Sequence, residues 1–336
     1  MADRTRPEGE RVIPVSDPAT GPSLRELGEF GLIGLLAARL PQPGSVLIGP
    51  GDDAAVLAAP DGRVVATVDV MVEGRHFRRD WSNGYDVGRR AAAASLADIV
   101  AMGATPTALL VGLTAPGDLE AEWALQLADG LREECAPLGA GVAGGDVTAG
   151  DAISISVTAL GDLGGREPLT RAGARPGDTV VVVGRLGWAT AGLALLEAGL
   201  VDHPLAAAHR RPVVSYDLAR RLAASDEVSS MIDVSDGLLA DLTHVAVASG
   251  VAIAVESASL PVDPEVARAA EELGVDPLLW VGAGGDDHAF AATVRGTVPA
   301  GAVVIGRVVA AEVDAARIAT FTDRETPARG GHAHFS

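Results

Sequence analysis

The residues of this chain best suited to chemistry are aspartates placed beside glycines or at the ends of apolar runs. In GPGDDAAVL, Gly49 to Leu57, a glycine turn delivers Asp52 and Asp53 into an apolar run, with no Lys or Arg within several residues on either side. Adjacent carboxylates are electrostatically costly unless water, a helix N-terminus or a cation compensates them. Comparable arrangements recur at Asp69, at Asp98, at Asp146 in GGDVT, and at Asp233 with Asp236 in IDVSDG. Each alone also fits an ordinary turn residue or helix cap, and Asp236 is well placed to cap the helix that follows. Asp98 is harder to dismiss, because it falls on an otherwise apolar helical stretch. The joint pattern predicts a multi-metal site. Oxygen-only ligands select hard cations such as Mg²⁺, and no His or Cys cluster in the sequence favours a softer metal. Because Mg²⁺ usually bridges a few carboxylates to phosphate oxygens, a polyphosphate is expected among them.

Other candidates stand at motif edges. His76, in EGRHF, could reach the Asp69 cleft or be a surface or core-edge histidine. Arg171, in LTRAGARPGD, suits either a phosphate clamp or an interdomain salt bridge. Gly284 to Asp287 echo the opening stretch, or form a purely structural turn. The chain has no GxxxxGK[ST] run and no GxGxxG at a strand-to-helix turn, so phosphate would be held by metals and backbone amides.

The elements that must position these residues alternate irregularly. In LRELGEFGLIGLLAARL, apolar positions 24, 27, 32, 35, 36 and 40 predict a helix ended by Pro41 and Pro43. Short β-type runs follow at 46–48, 54–57 and 64–70, placing Asp69 near a strand end. A helix is expected from about Asp86 to Met102. It is apolar nearly all round beyond Arg90, apart from a stripe carrying Ser95 and Asp98, which must face something polar. A strand (107–113), a helix (119–138) and a strand (153–160) entered through the AGGDVTAGD loop complete the first half. The second half predicts strands at 179–183, before Asp233, and at 251–255, 289–294 and 303–309. Its helices are expected at 189–198, after Pro212, and at 237–248 and 264–273. The fold class is α+β (mixed α/β), two domains each with a mixed sheet packed by helices. The predicted division is a disordered tail over 1–23, an N-terminal metal- and polyphosphate-binding domain over 24–163, and a C-terminal domain over 164–336 completing the site.

A formal net charge of −19 argues against nucleic-acid or anionic-membrane binding, since both need a positive field. The lone Cys135 cannot form an intramolecular disulfide, and no signal-peptide h-region opens the chain, so a cytoplasmic location is expected.

In order along the chain, GEF, GDDAAVL, TVDVMVEGRHF, SLADIVAMGATP, GGDVTAG, LTRAGARPGD, IDVSDGL and GGDDH make the sequence resemble the thiamine-monophosphate kinase family, from about Gly28 to Phe335. That family shares an aminoimidazole ribonucleotide synthetase-like superfamily with selenophosphate synthetase and a hydrogenase maturation factor. The resemblance implies ATP-dependent phosphorylation of thiamine monophosphate to the diphosphate by a homodimer. It puts Asp53, Thr67, Asp69, Asp98, Asp146, Asp233 and Asp236 on metal positions, and Val68 on one that uses its backbone carbonyl. Gly145, Asp146, Arg171 and Ser235 fall on nucleotide positions, and His76 and Asp286 on substrate positions, with His332 replacing a family aromatic that stacks there. Asp69, Asp98, Asp146 and Asp233 are the expected catalytic set. Three departures are visible: Asp286 replaces a glutamate, Val147 to Ala149 replace Thr-Thr-Arg, and His332 replaces Trp or Tyr. The alternatives are another ATP-using member of the superfamily, which would need a reactive cysteine beyond Cys135, and a non-catalytic nucleotide- or metal-binding regulator.

Overall fold

The structure, a computed structural model, describes residues 21–50, 54–311 and 318–327. Expectations for Asp52, Asp53 and His332 lie outside those residues, as does most of the predicted tail. Pro22 and Ser23, expected within that tail, are built into the fold: Ser23 forms a capping box with Glu26, and the Pro22 carbonyl accepts from Ala121 N at 2.8 Å.

In the first half, α1 (Leu24–Arg39) bends at Gly28, whose φ is 68°. After β1 (Val46–Ile48) and β2 (Val56–Leu57) come β3 (Val65–Val72), α2 (Gly84–Ala101), β4 (Thr105–Ala115), α3 (Ala121–Cys135), β5 (Val142–Ala149) and β6 (Ser154–Asp162). The sheet order is β3-β6-β4-β5, with β4 and β5 parallel and the other pairs antiparallel. Strand β5 corrects the sequence reading, in which AGGDVTAGD was an entry loop. Its glycines mimic a turn, but Gly145 is required by packing: a Cβ there would lie 2.1 Å from the Val111 carbonyl.

The second half contains β7 (Thr179–Val183), α4 (Trp188–Glu197), α5 (Ala206–Arg210), α6 (Tyr216–Ala223), β8 (Val228–Val234), α7 (Leu238–Ser249), β9 (Ala252–Val255), α8 (Pro264–Leu273), α9 (Pro277–Ala283), β10 (Ala289–Val294), β11 (Val303–Val309) and β12 (Ala319–Phe321). The sheet runs β12-β9-β11-β7-β10-β8 and is antiparallel except for β12 with β9. The periodicity missed α5, α9 and β12. Each is seven residues or fewer, too short to show a repeat.

Helix α2 joins the halves. Its Ala, Leu, Ile and Val side chains are buried along nearly its whole length, because it lies between the first sheet and the elements β8 and α6 of the second half. Asn83 caps it by accepting from Asp86 N at 2.9 Å. Beside it, buried Glu134 accepts from Arg89 Nε at 2.6 Å and from Tyr216 Oη of α6 at 2.8 Å, fixing the two halves together.

Candidate active site

The stripe on α2 faces two strands. Alternation along β3 turns Thr67 and Asp69 towards the helix and leaves Val64, Val68 and Val70 exposed on the other face. Ser95 Oγ donates to Asp69 Oδ2 at 2.7 Å, and Thr67 Oγ1 donates to Asp98 Oδ2 at 2.7 Å. From the second half, β8 brings buried Asp233 to the same place, where His288 Nδ1 lies 3.3 Å from its Oδ2. Burial, then the charges of Asp233 and, more weakly, Asp69, push the Asp98 carboxyl up to about 6, against the Thr67 hydroxyl. Burial disfavours a charged His288, but the bond and charge of Asp233 outweigh it and hold the imidazole above its ordinary range. Three aspartates from β3, α2 and β8 thus converge with no Lys or Arg bonded to any of them among the described residues.

The turn after β8 carries Ser235 and Asp236. Asp241 on α7 organises it: its Oδ2 accepts from the N–H groups of Ser235, Asp236 and Gly237 at 3.0–3.1 Å. The ligand atoms of Asp236, Asp241 and His244 lie within 4.8 Å of one another. One histidine thus stands beside Asp233 and another beside Asp236. The GGDDH turn crosses this one. Asp286 N donates to the Ser235 carbonyl at 2.8 Å and His288 N to that of Val234 at 3.0 Å. A Cβ on Gly285 would sit 2.3 Å from the Ser235 carbonyl. Asp286 and His288 take φ values of 64° and 49°, the left-handed region that non-glycine residues occupy at a cost on the order of 1–2 kcal/mol. The carboxylate of Asp286 pairs with Arg90 of α2 at 2.9 Å.

Not every expected residue joins the cluster. The register runs Val70–Ser156–Gly112–Asp146 across the first sheet, so Asp146 shares the outward face with Val70, opposite to Asp69. Three interstrand steps separate it from β3, roughly 14 Å. Gly145 and Asp146 instead line an apolar cavity of about 100 Å³ with Ile33, Leu36 and Leu127. His76 is half-buried, and its Nδ1 accepts from Val72 N at 3.0 Å. Arg171 is exposed; its carbonyl accepts from Ser249 Oγ, and it forms no ion pair among the described residues. Asp287 is buried and structural, accepting from Gly187 N and Ala189 N at the start of α4. His288, Arg90, His209 and Asp241 had no place in the sequence reading. GGDDH contained the first, but nothing local showed that it would meet Asp233.

The donor set is oxygen-rich and strained by mutual repulsion, as a hard divalent cation would relieve. The chain matches family models of AIR synthase related proteins. Their N-terminal domain matches residues 51–163 and their C-terminal domain residues 175–325. Thiamine-monophosphate kinase from Mycobacterium tuberculosis is 49% identical over 290 residues, 85% of this chain and 86% of that protein. The crystal structure of thiamine-monophosphate kinase from Stenotrophomonas maltophilia superposes with a TM-score of 0.75 at 31% identity, covering 88% of this chain and 96% of the other. AaThiL complexed with AMPPCP and TMP gives 0.72 at 31% identity, covering 93% and 98%. The chain belongs to the thiamine-monophosphate kinase family of AIR synthase related proteins.

Proposed function

We propose that this protein transfers the γ-phosphoryl group of ATP to thiamine monophosphate, directly and in line, with the assistance of several Mg²⁺ ions. The observation that carries this reading is the convergence of Asp69, Asp98 and Asp233 from both halves of the chain onto one acidic cluster that only His288 partly compensates among the described residues. AaThiL, similar over nearly the whole chain, binds AMPPCP and TMP together, which supports a nucleotide and a thiamine phosphate as the two substrates.

Asp69, Asp98, Asp233 and Asp236, with Thr67 and the Val68 carbonyl, are the residues that would hold the metal; the family resemblance adds Asp53 and also Asp146, which within one copy lies on the opposite face of the first sheet from Asp69. Bound Mg²⁺ supplies charge neutralisation between phosphates and the developing transition state. The protein's own groups orient the two anions. The acceptor is a phosphate monoester whose oxygen is already ionised near neutral pH, so no strong general base is needed. Gly145, Asp146, Arg171 and Ser235 are assigned to the nucleotide, and His76, Asp286 and His332 to the thiamine moiety. In this reading the division at 163/164 separates an ATP- and metal-binding domain from one that completes the site. Arg90 and Asp98 are eight residues apart on α2, about 12 Å along the helix axis.

A homodimer is part of the proposal, supported by the exposed valines 64, 68 and 70, which a second copy would cover together with Asp146. So is a cytoplasmic location, supported by the single buried Cys135. Among the described residues no helix is long and apolar enough to cross a membrane.

ADP release on adding thiamine monophosphate to enzyme, ATP and Mg²⁺ tests the activity; binding of both without turnover would favour a regulator instead. Asp69→Asn and Asp98→Asn should each abolish turnover and leave the fold intact, and full activity in both would overturn the metal assignment. Chiral γ-phosphate should invert. Retention, or a trapped phosphorylated side chain, would exclude direct transfer.

A further inference from the structure

The junction holds a second charged group, distinct from the acidic cluster. Arg90, on the face of α2 towards the second half, is buried to 5% side-chain exposure. Its Nη2 donates to Asp286 Oδ2 at 2.9 Å and its Nη1 to the His209 carbonyl at 3.2 Å. Nη1 also stands 3.2 Å from His209 Nε2; a guanidinium only donates, so Nε2 is the acceptor and the ring proton is on Nδ1. Burial and then the Arg90 charge push His209 down to about 3, so the ring is neutral at physiological pH and offers Arg90 a lone pair rather than a second positive charge. Arg90 Nε has no hydrogen-bond partner among the described residues.

A salt bridge whose only task is to join two domains gains nothing from this asymmetry. Withdrawing a guanidinium from water costs several kcal/mol, and apolar residues of similar volume often stabilise as well as a buried pair. Here the cation is hidden, whereas the carboxylate it holds remains 47% exposed, with Oδ1 bonded to nothing among the described residues. The carboxylate also sits on a strained, left-handed residue whose N–H is fixed to the metal-bearing turn through Ser235. Burial raises the Asp286 carboxyl, and Arg90, His288 and His209 together outweigh that and hold it below the ordinary range. The result is a carboxylate with one oxygen anchored and the other open.

We infer that Arg90, with neutral His209 behind it, is a positioning residue that fixes the Asp286 carboxylate for recognition of the acceptor substrate. It acts through Asp286 and touches no substrate itself. Because Arg90 belongs to the first half and Asp286 to the second, the acceptor site is complete only when the halves are joined. This inference rests on the proposed kinase reading.

The test compares full-length wild type with Arg90→Gln, Arg90→Lys, Asp286→Asn and the Arg90→Gln/Asp286→Asn double variant. The readouts are KM for thiamine monophosphate, kcat, and Kd for a non-hydrolysable ATP analogue. Arg90→Gln should raise KM for thiamine monophosphate ~10- to 100-fold, the size expected for loss of a charge-assisted bond, with kcat and nucleotide Kd nearly unchanged. Lysine cannot reproduce the two-directional fork, so Arg90→Lys should recover only part of the loss. The double variant should be no worse than Asp286→Asn alone, because both changes disable one carboxylate. Additive losses, or an equal loss of nucleotide affinity, would overturn the inference. Should Arg90→Gln fail to fold, the Lys variant in the same cycle carries the decision. A wild type that releases no ADP with thiamine monophosphate would instead refute the underlying kinase reading.

Discussion

Asp98 and Asp287 are both aspartates withdrawn from water, and both titrate far above a free carboxylate, at about 6 and about 7 respectively. Burial is the largest cause in each. The next neighbours are opposite in kind. Around Asp287 they are the N–H groups of Ala189 and Gly187, which favour the charged form and tie the residue to the start of α4. Around Asp98 they are Asp233 and Asp69, which repel it, with a single hydroxyl from Thr67 in its favour. Asp241, pushed up to about 7 by burial and then by Asp233 and Asp236, resembles Asp287 in accepting from backbone N–H groups, here three on one oxygen. A raised carboxyl therefore does not by itself mark a functional residue. What separates the two kinds is whether the compensating charge is built into the chain or must arrive with a ligand.

Replacing the two residues should break the protein in different ways. Asp98→Asn is expected to lower kcat about 1,000-fold or more, since a metal position is lost, while leaving the metal-free protein as stable as wild type or more so. Asp287→Ala would strand two buried N–H donors and should cost about 3 kcal/mol of stability, visible as a lower midpoint in urea. Asp98→Asn destabilising the metal-free chain as much as Asp287→Ala would erase the distinction.

The two states of Asp98 also predict a pH dependence. Its folded pKa of about 6 lies above the value of 3.8 expected when unfolded, so between these limits the folded state binds more protons. The contribution of this group is fully present below pH 3.8 and is lost as pH rises through about 6. For the metal-free protein the loss is on the order of 2 kcal/mol. Mg²⁺ should restore stability above pH 6, because it binds the ionised form. Urea titrations at pH 5 and 7.5, with Mg²⁺ and with chelator, check this. Equal midpoints in chelator at both pH values, after correction with Asp98→Asn, would show that Asp98 is not held at a cost.

Much of this site was legible in the sequence because its residues violate their surroundings. Asp98 interrupts an apolar helix, and Asp69 sits in a run of valines; both meet across α2 and β3 as the polar stripe required. The ordered motifs carried the family. What stayed hidden depends on contacts far apart in the chain. Arg90 and His209 are 119 residues apart, and each looks like a surface residue at its own position. Strand β5 was misread because Gly144 and Gly145 signal a turn locally, whereas the reason for glycine is the Val111 carbonyl on the neighbouring strand. The outward face of Asp146 could not be foreseen without the register, and the register could not be set without that strand.

The smallest expected effect concerns the adjacent pair with which the acidic pattern begins, Asp52 and Asp53. Both stand beside glycines in the sequence without a nearby cation, and the proposed function takes only Asp53 as a metal ligand. Asp53 should therefore behave like Asp98, dependent on an incoming ion, and Asp52 like Asp287, engaged in shaping its own turn or binding through water. Asp52→Asn should change kcat by only about threefold and leave the Mg²⁺ dependence where it was. Asp53→Asn should lose most activity and shift the Mg²⁺ requirement upward. Measuring kcat against Mg²⁺ concentration for both variants decides it: equal losses would mean that the two neighbours share the cation, and that position in a turn does not distinguish a ligand from a structural carboxylate.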